Sequence, residues 1–273
     1  MPVYNAERFI DPAIRSVLAQ TWEHWELIVV DDGSTDGTNN ILARCADPRI
    51  RSFRIPHGGV SRARNHGLDR AAGSLVVFFD ADDILPETSI QCRVEALMAH
   101  PEADFADGAV LAMDSRTGAL SPRHAPVHQG EVFDRLMRMD PSIFFGPTWM
   151  IRRSVIGTHR LPEHMTHAED LAFYLAIARN RRYISVSQVV LHYRTGHRSA
   201  MSNIDGLHQG YRALYRFATQ LDPAPDTEQL RALWSRIERI MVRTYIKAGR
   251  PISALRAWME RPAIDQAYSH GTR

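Results

Sequence analysis

Leu75-Val76-Val77-Phe78-Phe79-Asp80-Ala81-Asp82-Asp83 is an apolar run long enough for one buried strand, closed by three carboxylates within four residues. Aspartate disfavours strand interiors and an unpaired charge is costly to bury, so the cluster belongs at a strand end facing solvent or a ligand. Three like charges this close repel each other unless a cation or several donors sit among them. A hard divalent metal that keeps open positions for phosphate oxygens meets that need. The alternative is an acidic turn with one aspartate capping the next helix, and taken alone so short a motif would favour it.

Working outward, Glu26-Leu27-Ile28-Val29-Val30 reads as a second strand buried on both faces, broken at Asp31-Asp32-Gly33-Ser34. Asp11-Pro12 predicts a helix start, with Ile14, Val17 and Leu18 at helical spacing behind it. A polar turn with Gly33 and Gly37 leads to a helix carrying Ile41 and Leu42, and Ile50 to Ile55 suggests a strand. Gly58-Gly59 precedes an arginine- and alanine-rich helix reaching about Ala72, which Gly73 stops. Pro86 opens a helix through Leu97, and Phe105 to Met113 reads as a further strand. Strands alternating with helices predict an α/β fold, a mostly parallel sheet with right-handed crossovers. Ligands of such sheets bind outside the carboxyl ends of the strands, so Asp31, Asp32, Asp80 and Asp82 should converge on one crevice. Met1-Pro2-Val3-Tyr4-Asn5 looks like the tail of a first strand whose body is absent, which predicts a truncated first strand and a native start upstream of Met1.

At 273 residues the chain makes one large domain or two small ones with ample core. A net charge of +2 gives no reason to expect nucleic acid as a partner. No apolar stretch approaches the roughly 20 residues of a membrane span, and no signal peptide is visible, so a cytoplasmic place is expected. Cys45 and Cys92 lie far apart in helix-like segments and read as inert thiols. Residues 206–273 hold eleven Arg/Lys against six Asp/Glu, a balance of +5 that leaves −3 for the rest.

The matching segments, taken together, resemble the family 2 glycosyltransferases, which have the GT-A (Rossmann-like) fold. They are Pro2-Val3-Tyr4-Asn5-Ala6-Glu7, Ser16 to Thr21, Glu26 to Thr38, Gly59-Val60-Ser61-Arg62-Ala63-Arg64-Asn65-His66-Gly67, Asp80-Ala81-Asp82-Asp83 and Glu169-Asp170. Six segments in the family's order carry the likeness across roughly residues 2–200, with a nucleotide-sugar half at about 1–113, an acceptor half at about 114–204 and a helical C-terminal extension at 205–273. The resemblance implies that Pro2, Tyr4 and Asp32 hold the nucleotide base, the aspartate accepting from an imide N–H, with Asn5, Glu7 and Ala81 also in the nucleotide site. Arg64 is implied to approach the base or pyrophosphate. Asp80 and Asp82 match a D-x-D pair holding Mn2+ or Mg2+ and the ribose, with Asp83 sharing this role. Glu169-Asp170 matches an E-D motif whose aspartate is the general base on the acceptor hydroxyl.

The chemistry agrees with that likeness. Breaking a sugar–diphosphate bond leaves two negative charges on the departing nucleotide, and a divalent metal stabilises them as they develop. Inverting transfer needs a base on the opposite face, and Asp170 stands far along the chain from the acidic cluster, at a predicted helix start (Ala168 to Ala178). The segment from Leu191 to Ser199 resembles the family's acceptor-side loop, making Arg194 and His197 diphosphate candidates. Trp149 is a candidate acceptor-pocket wall or a core residue. His164, His167 and Asp170 have metal-like spacing that we read as incidental.

The implied function is metal-dependent, inverting transfer of a sugar from a nucleoside diphosphate sugar, UDP-linked first, to a glycan or lipid-linked acceptor in bacterial surface polysaccharide assembly. A sugar nucleotidyltransferase would carry a lysine-bearing glycine-rich phosphate loop near its start, which is missing; a degenerate, non-catalytic subunit would not need Asp80, Asp82 and Asp170. In the tail, Tyr211, Leu214, Phe217 and Leu221 form a helical stripe, as do Leu233, Ile237, Ile240, Met241 and Tyr245. Arg236, Arg239, Arg243 and Lys247 on the second helix are a solvated basic face or, alternatively, a peripheral membrane contact to anionic head groups.

Overall fold

The alternation of apolar runs and helical stripes sets the element order of the computed structural model, which describes residues 1–144, 146–196 and 202–260. The chain starts with β1 (Pro2–Val3), α1 (Ile10–Leu18), β2 (Leu27–Asp31), α2 (Thr38–Leu42), β3 (Ile50–Arg54) and α3 (Val60–Leu68). It continues through β4 (Leu75–Val77), α4 (Ser89–Ala99), β5 (Phe105–Asp114), β6 (Leu120–His124), β7 (Gly130–Glu131) and α5 (Phe133–Met137). Next come β8 (Met150–Arg152), α6 (Arg153–Ile156), α7 (Glu169–Ile177) and β9 (Arg182–Thr195). Three helices close the described chain: α8 (Ile204–Thr219), α9 (Thr227–Lys247) and α10 (Pro251–Met259).

Burial on both faces explains the unbroken apolar run of β2, which lies between β1 and β3 with both pairings parallel. The second sheet has the order β4-β8-β5-β9-β7, with β6 added to β5. Parallel pairing recurs in the long β5–β9 ladder, while β8, β6 and β7 join antiparallel. These antiparallel additions are short, and Leu120-Ser121-Pro122-Arg123-His124 is too polar to announce a strand. An apolar cleft of about 960 Å3, lined in part by Leu27, Ile28, Leu75, Val76 and Val77, lies between the two sheets beside the two-residue β1.

Several boundaries differ from the sequence expectation for local reasons. The first helix begins at Ile10, ahead of Asp11-Pro12, because the missing N–H of Pro12 falls among first-turn donors that have no helical partner anyway. Asp11 instead pairs with Arg15 at 2.8 Å. Helix α3 stops at Leu68, and the following chain turns where Ala72 N–H and Gly73 N–H donate to Glu26 Oε1 at 2.6 and 3.0 Å. Phe78 and Phe79 run past the β4 ladder yet remain buried.

Two cores matter for the site. One gathers Val3, Ile10, Ile14, Val17 and Val29 between α1 and β2. The larger gathers Leu136, Ile143, Trp149, Phe173 and Tyr174 together with Leu214, Leu233, Ile237 and Met241, so α8 and α9 share one core with the acceptor half. Trp149 is not a pocket wall. It is fully buried, its indole N–H donates to the Phe144 carbonyl at 2.8 Å, and its ring stacks on Tyr174 with centroids 4.3 Å apart. Phe105 and Tyr183 cover the rest, leaving no face for a sugar.

Candidate active site

The β2 strand delivers Asp31 and Asp32 to its carboxyl end, and the two part company there. Asp31 closes its own turn, Oδ1 accepting from Ser34 N–H at 2.8 Å and Oδ2 lying 3.6 Å from Arg54 Nε, and it does not join the crevice. Asp32 is buried and accepts from Gly58 N–H and Gly59 N–H, each at 2.8 Å, while His57 Nδ1 lies 2.9 Å from Oδ2. Gly59 takes φ +96°, a conformation side chains resist, so this loop needs glycine to bring its amide to the carboxylate. A carboxylate has about four acceptor positions, and the two loop amides fill two of them.

The His57 ring stacks on half-exposed Tyr4, centroids 4.2 Å apart at 24°, making a flat aromatic step beside Asp32. Nothing in the sequence marked His57, since the stacking joins residues 53 positions apart. Asn5 and Glu7 are exposed, and each also holds the neighbouring loop. Asn5 Oδ1 accepts from Thr35 N–H at 2.8 Å, and Glu7 Oε2 accepts from Gly37 N–H at 3.0 Å. Pro2 lies in β1 beside Val30. The Ala81 methyl is buried in the core, so only its backbone is available to a ligand.

Helix α3 carries Arg64 into the centre. Its guanidinium donates to Asp80 Oδ1 at 2.8 Å and to Glu169 Oε1 at 2.9 Å, so one buried cation joins the β4 end to the start of α7. Burial alone would lower its pKa, but Asp80 and Glu169 outweigh that and hold it well above its ordinary value. Both arms of its fork are engaged, while its buried Nε has no hydrogen-bond partner among the described residues. The adjacent Asn65, unremarked by itself in the sequence, clamps the loop ahead of α7. Its amide donates to Leu161 O at 2.9 Å and Glu163 Oε1 at 3.1 Å, and accepts from Leu161 N–H at 2.8 Å.

Asp80, Asp82 and Asp83 each offer a carboxylate oxygen within 4.8 Å of the others. All three donors are hard carboxylate oxygens, the ligand chemistry that suits a divalent cation. Burial, then the charges of Asp80 and Asp82, push Asp83 up to about 8, the crowding that a cation relieves. The strand β9 fixes this loop: Arg194 N–H donates to Asp83 Oδ1 at 2.8 Å, and His192 and Ile84 exchange backbone hydrogen bonds at 2.9 and 3.1 Å. The buried Arg194 guanidinium lies over Phe9 at 5.2 Å, and the nearby Asp82 and Asp83 partly offset the burial that lowers its pKa. His197 lies outside the described residues.

On the opposite side, Ala168 at φ +59° caps α7 and turns Glu169 and Asp170 inward. Burial, then Glu169, raise half-buried Asp170 to about 7, with Arg64 acting against them. His164 is exposed and His167 buried, so the two do not form a metal set with Asp170. His167 instead packs on α8. A Cβ at Gly210 would stand 2.5 Å from His167 Cβ and 2.7 Å from its carbonyl oxygen. Gly210→Ala should therefore destabilise by about 1–3 kcal/mol although alanine favours helices, because the loop bearing Asp170 must move. Thermal unfolding would show it, and an unchanged or raised Tm would refute it.

With parallel strands β1–β3, an acidic loop after β4 and a carboxylate pair facing it, the molecule has the GT-A fold. The profile of Glycosyl transferase family 2 matches residues 1–160, and the chain belongs to that family. TuaG of Bacillus subtilis (strain 168), named for teichuronic acid biosynthesis, is 31% identical over 207 residues, covering 74% of this chain and 80% of TuaG. TarS of S. aureus in complex with UDP-GlcNAc superposes with a TM-score of 0.69 at 21% identity, over 87% of this chain and 70% of that one. The mannosyltransferase PcManGT of Pyrobaculum calidifontis, in complex with GDP-Man and Mn2+, gives 0.64 at 20% identity, over all of this chain and 74% of that one. The chain spans 29% of the length of the Rickettsia conorii glycosyltransferase it matches. No helix among the described residues is long and apolar enough to cross a membrane.

Proposed function

We propose that this chain transfers a glycosyl group, with inversion, from a nucleoside diphosphate sugar to a glycan or lipid-linked acceptor in surface polysaccharide assembly. The donor we favour is a UDP-sugar. One observation carries the reading: the buried Arg64 guanidinium ties Asp80 of the three-aspartate cluster to Glu169, the neighbour of Asp170. The UDP-GlcNAc complex of TarS and the biosynthetic role in TuaG's name support the donor and pathway class.

In this scheme Tyr4 and His57 offer the base a stacking face and Asp32 an acceptor for its N–H. Asp82, with Asp80 and Asp83, would hold Mn2+ or Mg2+, whose charge would offset that of the departing diphosphate. Arg194 adds a second positive charge beside that cluster. Asp170 takes the proton of the acceptor hydroxyl, whose oxygen bonds to the anomeric carbon as the carbon–oxygen bond to the diphosphate breaks. The nucleoside diphosphate leaves with that electron pair. An ionised Asp170 is required, so transfer should fall as pH drops through about 7.

The test is calorimetric titration of UDP, GDP and CDP, each with Mn2+ and with EDTA. Metal-dependent binding of UDP is expected, and Asp82→Ala should abolish it. Binding that is indifferent to EDTA would refute the metal role, and no nucleotide binding under any condition would refute the function.

A further inference from the structure

Five of the ten large apolar side chains exposed in the described residues fall between positions 246 and 259: Ile246, Ile252, Leu255, Trp258 and Met259. They are not scattered. Helix α10 packs on α9 through Ala254 and Ala257, which are buried, and turns Ile252, Leu255 and Met259 outward within one 60° sector. Trp258, on the edge of that sector, lines a recess of about 450 Å3 with Arg236, Arg239 and Arg243 of α9. The apolar ridge and the basic ridge therefore adjoin. Glu238 also lines the recess and is the one acidic side chain between residues 229 and 259, against seven Arg/Lys. Arg239, Arg243, Lys247 and Arg256 are exposed, and none makes an ion pair among the described residues.

We infer that α9 and α10 form a docking surface for an anionic lipid bilayer. The ridge of α10 enters the head-group boundary, where an indole with one apolar and one polar edge is favoured, and the arginines of α9 meet lipid phosphates. A second copy of this chain suits the surface less well, because like arginine ridges would face each other across the contact. A solvated basic face does not explain why the large apolar side chains stand beside it.

The surface is tested by co-sedimentation with phosphatidylcholine vesicles, with and without phosphatidylglycerol, the fold of each variant being checked by thermal unfolding. The intact chain should bind the phosphatidylglycerol vesicles and release them in high salt. The double change Arg239→Glu and Arg243→Glu should weaken partition at least about tenfold. Leu255→Ser with Trp258→Ser should weaken it comparably with only a small fall in Tm, because each side chain is more than half exposed. No binding by the intact chain, equal binding to both vesicle types, or undiminished binding by a folded variant would overturn the inference. So would a dimer in ultracentrifugation that Leu255→Ser dissolves. Nucleotide titration reads the crevice separately, so the two readings fail independently.

Discussion

Asp170→Asn is expected to cut glycosyl transfer by about a hundredfold to ten-thousandfold while leaving nucleotide binding unchanged. The same change should stabilise the protein at neutral and higher pH. In the folded chain Asp170 sits at about 7, against about 3.9 when unfolded. The folded form thus binds an extra proton between these values, and its stability falls as pH rises through that window. Asparagine carries no such charge. Unfolding temperatures of the two proteins should differ most at pH 8 and converge toward pH 5. An equal difference at both would show that burial of the charge is not the cause, and persisting transfer would remove Asp170 as the base.

Arg64→Met should lower stability by about 3–5 kcal/mol, the range for deleting one member of a buried ion pair. Two carboxylates lose their cation at once, Glu169 nearly enclosed and Asp80 less so, at 11% and 29% side-chain exposure. Arg64→Lys should recover only part, because a single ammonium cannot reproduce the planar fork that serves both partners. Adding Glu169→Gln to Arg64→Met removes one stranded charge and should restore part of the loss in denaturant unfolding. A double variant as unstable as the single one would mean the cost is packing, not charge.

The sequence was informative where burial is two-sided or where backbone chemistry is local. The Leu27–Val30 run could be read as a strand because both its faces are covered, and the turn residues after it identified its end. Asp80, Asp82 and Asp83 could be read as a cluster because three charges share one loop. Long-range partnerships left no such trace. Arg64 meets Glu169 across 105 positions, and His57 meets Tyr4 across 53, with no period or spacing to record either contact. Trp149 had two readings because an indole serves a sugar or a core equally well, and only its neighbours Tyr174, Phe105 and Tyr183 decide. The polar strands β6 and β7 escaped notice because alternation is weak on a sheet margin.

The division of the interior into separate cores has a kinetic consequence. Asp32 is rooted beside the core of α1 and β2, and Asp170 on the core formed by α5, α7, α8 and α9. A chain that has collapsed around only one of these holds half a crevice, with Asp32 or Asp170 still out of place. Assembly of the crevice therefore requires contacts between segments far apart in the chain, whose loop closure carries an entropic cost. Any ligand that spans both halves would act as a selective trap for molecules that have completed that step, shielding them from proteolysis while half-formed ones stay open to it.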